Sequence, residues 1–215
     1  EMTLRDTYER LHQIEQRELL VAERQRLMRD MHDGLGSTLT GAIHLADRAA
    51  SHEVLAQTLK DCLFDLKLTV DSLEPVDADL LLLLANLRFR LAPRLHAQGV
   101  MLEWAVTPVP SMQWLTPSYA LHILRILQEV ITNILKHAQA SRIRLSTATE
   151  HPGILVRIED NGSGFQPDTR INEGRGLHNI CWRANALSGH VEWQLSNPGT
   201  HFILWLPIEN PAARA

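Results

Sequence analysis

A seven-residue spacing constrains this chain more than any other feature. Ile14, Val21, Met28, Leu35, Ala42 and Ala49 recur at that interval within residues 3–73, a stretch with no proline and only three glycines. An apolar heptad repeat keeps one helix face against a neighbouring helix over most of its length. A second apolar set, Leu55, Leu59, Cys62, Leu66 and Leu73, follows the polar break Ser51-His52-Glu53 and reads as an antiparallel return helix. Two helices bury too little on their own. Two copies of the hairpin make a four-helix bundle, so the pattern predicts a homodimer held by residues 1–75.

From Pro75 the pattern changes to alternating helices and strands, and residues 76–215 read as a second, α/β domain. Helices are expected over Asp79–Ala97, Ser118–Ala138 and Gly176–Leu187. Strands are expected around Val100–Val106, Arg142–Thr147, Ile154–Glu159, Val191–Leu195 and His201–Leu206. The 45% hydrophobic content of the 215 residues is enough for a core and argues against disorder. A net charge of −4 removes the drive for non-specific binding to duplex DNA, so no direct nucleic-acid role is expected. Cys62 and Cys181 have no CxxC partner, which excludes a disulfide framework or zinc ribbon and fits a reducing cytoplasm. No apolar run reaches the ~20 residues that span a bilayer. The chain reads as a fragment of a longer parent, reaching a membrane only through a sensor region outside it.

Five segments carry chemistry. In Met31-His32-Asp33-Gly34-Leu35-Gly36 the imidazole flanks the heptad seam within reach of solvent. A neighbouring carboxylate can fix its tautomer and raise the nucleophilicity of the other nitrogen. Adjacent helical side chains diverge, and a solvated histidine on a coiled coil would have the same setting. Yet Gly34 and Gly36 each cost about 1 kcal/mol inside a helix, which suits a helix that bends or is closely approached beside His32.

In the second segment Glu129, Asn133 and His137 are spaced by four, with Lys136 beside them, opposite apolar Leu127, Ile131, Ile134 and Leu135. Oxygen ligands and a cation on one helix face can hold a hydrated Mg²⁺ and the phosphates it bridges. An ordinary solvent face would look the same. The third segment, Asp160-Asn161-Gly162-Ser163-Gly164, ends a strand. A buried Asp160 can accept a hydrogen bond from an exocyclic amine, and Gly162 and Gly164 let backbone approach a flat ring, though a hairpin turn uses the same residues. The fourth, Gly174-Arg175-Gly176-Leu177, opens a helix whose free amides suit an anion or an ordinary cap. In the fifth, Gly199-Thr200 precedes the last strand as a turn.

In order, spacing and placement the five segments resemble a sensor histidine kinase. The likeness is to the cytoplasmic catalytic core of the nitrate-sensor-like subfamily: a dimerisation and histidine phosphotransfer hairpin followed by a Bergerat-fold ATP-binding domain. The resemblance implies ATP and Mg²⁺ as cofactors, His32 as phosphoacceptor and Asp33 as the acid that activates it. Asn133 would be the Mg²⁺ ligand, with Glu129 in the same N box, and Lys136 and His137 would contact phosphates. Asp160, Gly162 and Gly164 match the first glycine box, in which the aspartate reads the adenine amine. Gly174, Gly176 and Leu177 match the second, Thr200 the third, and residues 165–175 would form a short ATP lid. The implied partner is a response regulator with a receiver domain and a helix-turn-helix output. One position departs from the pattern: Ser37 stands where relatives carry a Gln or His that positions water for dephosphorylation, so kinase is expected to outweigh phosphatase activity. Two other classes share parts of this pattern, a Bergerat-fold ATPase using Glu129 to activate water and a non-catalytic dimeric interaction module.

Overall fold

A computed structural model describes residues 79–164 and 175–209, together with Leu59. The chain divides into two units, Glu1–Glu74 and Pro75–Ala215, and apart from Leu59 the described residues all belong to the second. The heptad repeat, the return helix, His32, Asp33 and Ser37 therefore lie outside the described residues, as do Gly174 and most of the expected lid.

The second unit runs α1 (Leu80–Ala97), β1 (Met101–Ala105), α2 (Pro117–Asn133), a π-helical turn (Ile134–Ala138), β2 (Arg142–Glu150), β3 (Gly153–Asp160), α3 (Arg175–Ala186), β4 (His190–Leu195) and β5 (Thr200–Pro207). Asp79 starts α1 because its Oδ1 accepts from the N–H groups of Leu81 (2.8 Å) and Leu82 (3.3 Å), two donors with no partner inside the helix. Leu80, Leu83, Leu84, Leu87, Leu91 and Leu95 are buried, the one-sided pattern a helix needs to pack on a layer. Thr116 caps α2 in the same way, and Pro117 occupies its first turn, where a missing N–H costs nothing.

The strands form one sheet in the order β1-β2-β3-β5-β4, with β1 parallel to β2 and every other pairing antiparallel. Register decides which side chains share a face. Leu145, Ile158 and Phe202 lie in one cross-strand row, and Thr147, Val156 and Leu204 in the next. All six are buried on the face that the helices cover. The alternating positions Arg144, Arg157, Glu159 and His201 are partly or fully exposed. On that outer face the Arg144 guanidinium stands between Glu103 (3.3 Å) and Glu159 (3.7 Å), and the His201 imidazole lies 3.9 Å from Glu159, a row that crosses four strands. The result is a two-layer α/β sandwich.

Two expectations change in detail. The α-helix expected to reach Ala138 stops at Asn133, and a wider π turn completes it. In place of regular α-helical bonding, the Ala138 carbonyl accepts the Ser163 N–H at 2.8 Å. The strand expected over Val100–Val106 is confined to Met101–Ala105, beyond which Thr107 bonds to Thr147 through side-chain hydroxyls in place of ladder bonds. Its inward residues Leu102 and Trp104 are only half-buried, and the Arg88 guanidinium sits over the Trp104 ring at 4.9 Å.

Candidate functional site

Asp160 is the last residue of β3 and lies opposite Ile143 on the helix-covered face, continuing the apolar rows by one more position. A strand that buries Ile154, Val156 and Ile158 must, with a period of two, bury the next alternate side chain as well, and Asp160 is 6% exposed. Burial pushes its carboxyl above the usual carboxylate range. The Gly162 and Thr200 backbone N–H groups and the His201 imidazole pull it part of the way back. The Gly162 N–H donates to Oδ1 at 2.8 Å. The site thus holds a desolvated acceptor at the end of the sheet, and a buried acceptor of this kind suits an amine donor.

The glycines around Asp160 are there for the protein's own backbone. A Cβ on Gly162 would collide with the Ala138 carbonyl and Cβ, and one on Gly199 would collide with the Asp160 carbonyl. Gly162 is thus also required by close contact with the end of the π turn. Gly164 and Gly199 have φ of +78° and +98°, a conformation other residues adopt only with strain. Beside Gly164, Leu195 leaves 58% of its surface exposed, on the strand position paired with Thr200.

The second group of side chains stands on α2 and its π turn. Glu129 and Asn133 are half-buried, while Lys136 and His137 are exposed. The π turn shifts every residue after Asn133 off the 3.6-residue spacing, so His137 leaves the line through Glu129 and Asn133 that a continuous α-helix would give. The first turn of α3 approaches this group directly: a Cβ on Gly176 would strike the Glu129 carboxylate. Gly176 and Leu177 are half-buried there, and Thr200 is buried beside Asp160.

Asn161 makes contacts that no motif spacing signals. The Asn161 Oδ1 accepts the Ser141 N–H at 3.0 Å and the Arg142 N–H at 2.9 Å, and its Nδ2 donates to the Ser141 Oγ at 3.0 Å. A carboxamide between Asp160 and Gly162 was a visible signal, hidden by the default that an Asn in such a place serves its own turn.

The buried carboxylate of Asp160 and the polar side chains of Glu129, Asn133, Lys136 and His137 are thus carried by a strand end and a helix end that the Ser163–Ala138 hydrogen bond joins. Among the described residues no three His, Cys, Asp or Glu side chains cluster as a metal site.

Residues 119–210 match the family described as histidine kinase-, DNA gyrase B-, and HSP90-like ATPase. The sensor protein VraS of Staphylococcus saprophyticus is 24% identical over 95% of this chain, and the sensor histidine kinase LiaS of Bacillus subtilis is 25% identical over 86%. The chain spans 61% and 54% of the lengths of those two relatives. Among solved structures, the Acinetobacter baumannii histidine kinase AdeS shares the fold with a TM-score of 0.55 at 18% identity, covering 83% of this chain and 98% of that one.

Proposed function

We propose that this chain carries the catalytic core of a sensor histidine kinase and transfers the γ-phosphoryl group of ATP to His32 and then to an aspartate of a response regulator; the match of residues 119–210 to the histidine kinase-, DNA gyrase B-, and HSP90-like ATPase family and the likeness to VraS and LiaS support this reading. The observation that carries this reading is Asp160, a buried carboxylate at the sheet end, tied by the loop after it to the helix end that bears Asn133 and Lys136.

In this mechanism Asp160 accepts the adenine amine, and Gly162 holds the carboxylate through its backbone N–H. Asn133 and Glu129 would hold Mg²⁺, Lys136 and His137 would meet the phosphates, and the amides of Gly176 and Leu177 in the first turn of α3 would face them, with Gly174, outside the described residues, expected in the same role. When bound, Mg²⁺ would neutralise the negative charge that builds on the leaving diphosphate. One His32 ring nitrogen attacks the γ-phosphorus, so that an N–P bond forms as the P–O bond to ADP breaks, while Asp33 holds the N–H of the other ring nitrogen. Thr200 keeps the last strand against Asp160. The chain acts as a homodimer through residues 1–75, in the cytoplasm, and the receiver domain it serves drives a helix-turn-helix output.

Incubation with γ-labelled ATP and Mg²⁺, followed by acid and alkali treatment, tests the reading. Acid-labile, alkali-stable label that disappears in His32→Gln is expected. Full label on His32→Gln would overturn the assignment.

A further inference from the structure

We infer that Asn161 is a positioning residue for nucleotide binding, a carboxamide clamp that fixes the base half of the site to the phosphate half. The inference rests on the nucleotide reading above and adds to it a residue acting through backbone. The two halves come from different parts of the chain. Asp160 ends β3 with Gly162 and Gly164 in the loop after it, whereas Asn133 ends α2 with Lys136 and His137 in the π turn after it, and the segment that returns from that turn to β2 passes beside the glycine loop. That return is a conformation the backbone does not choose freely: Gln139, between the π turn and Ser141, has φ of +52°. A non-glycine residue persists in the left-handed region only when its surroundings hold it.

Asn161 supplies the holding contacts. Its single oxygen takes both N–H groups of consecutive residues, Ser141 at 3.0 Å and Arg142 at 2.9 Å, and its nitrogen reaches the Ser141 Oγ at 3.0 Å. Its own N–H donates to the Arg142 carbonyl at 3.3 Å, and the neighbouring Ser163 N–H donates to the Ala138 carbonyl at 2.8 Å. The loop after Asp160 is therefore joined at five points to residues 138–142, immediately after the turn that carries Lys136 and His137. Gly162 makes the closest approach, with no room for a Cβ against Ala138. Asp160 itself depends on none of the Asn161 side-chain bonds, since strand register and the Gly162 N–H place it.

The consequence separates two properties that an ordinary folding defect would lower together. Without the carboxamide the base acceptor stays in place, while the helix end loses its fixed distance from it. Adenosine affinity should hold, and the gain in affinity from adding the triphosphate with Mg²⁺ should shrink.

The experiment is titration of the full chain with adenosine and, separately, with Mg²⁺·ATP, followed through backbone amide signals that also report folding. For Asn161→Ala the ratio of ATP to adenosine affinity is expected to fall about 10-fold, with adenosine affinity changed less than about 3-fold. Ser141→Ala, which removes only the Oγ partner, should leave the ratio within about 3-fold. Asn161→Ser, too short to reach both amides, provides a second truncation should the alanine variant not fold. Asn161→Asp keeps the acceptor oxygen and, in high salt where its added charge is screened, should restore most of the ratio measured for the unmodified chain in the same salt. An unchanged ratio in the folded truncations would overturn the clamp. Failure of the unmodified chain to bind ATP would overturn the nucleotide site, and the clamp with it.

Discussion

The two halves of the proposed nucleotide site are built by different physics. Asp160 is placed by a sheet: its position follows from strand register, it is 6% exposed, and its carboxyl is pushed upward by burial. Lys136 and His137 stand exposed on a single π turn at a helix end, with half-buried Asn133 one residue before it. A group fixed by a packed sheet is pre-organised before any ligand arrives, whereas exposed lysine and histidine side chains must be ordered by the ligand they meet. Base recognition should accordingly be specific and demanding, and phosphate recognition tolerant of change and sensitive to salt.

The largest effect is expected at the buried half. Asp160→Ala should weaken ATP and ADP alike by about 1.5–3 kcal/mol, the range for losing a charged hydrogen bond. Calorimetric titration of both nucleotides checks this, and a loss confined to ATP would place Asp160 on the phosphate side instead.

Next comes the seam between the halves. In Gly162→Ala the new methyl meets the Ala138 carbonyl, and overpacking of this kind costs about 1–3 kcal/mol, read as a lower melting temperature without nucleotide. A neutral result would mean that the loop and the π turn are free to separate.

The exposed half should respond less. Asn133→Ala is expected to remove about 1 kcal/mol of the Mg²⁺-dependent part of ATP binding and to leave ADP binding in EDTA unchanged. Lys136→Ala should cost less than about 1 kcal/mol, and less still at high salt.

The smallest effect is a stability difference with a defined sign. Because the folded Asp160 carboxyl lies above its unfolded value, folding favours the protonated form. Stability from this group is greatest below the unfolded value and falls as pH rises through the folded one. Asp160→Asn, which keeps an acceptor for the Gly162 N–H, should therefore melt slightly higher than the unmodified chain at neutral pH, and the difference should vanish on acidification below the ordinary carboxylate range. Equal melting at neutral pH would show that the buried charge is fully compensated.

Much of this division was legible in the residues. The leucines from Leu80 to Leu95 announce a one-sided helix, and Ile154, Val156 and Ile158 announce a strand whose next alternate position, Asp160, has to be buried. Local periodicity carries that information, because packing on one face is a local demand. The end of α2 was less legible. Nothing in Ile134–Ala138 distinguishes an α turn from a π turn, and the residues that meet its end, 162 and 163, are more than twenty positions away. For the same reason the close approach of Gly162 to Ala138, and the bridge from the Asn161 side chain to Ser141 and Arg142, leave no mark in the spacing of residues. Long-range polar contacts leave no period in a sequence.

The central claim is that the sheet end reads adenine through Asp160, and the most direct measurement is competition between ATP and GTP for the full chain and for Asp160→Asn. Guanine presents a carbonyl where adenine presents its amine, so the buried carboxylate should reject it. The account predicts a preference for ATP of about 10-fold or more in the unmodified chain, as expected when a buried polar group is left unpaired by the wrong base. It predicts that this preference largely disappears in Asp160→Asn. Equal binding of ATP and GTP by the unmodified chain would contradict it.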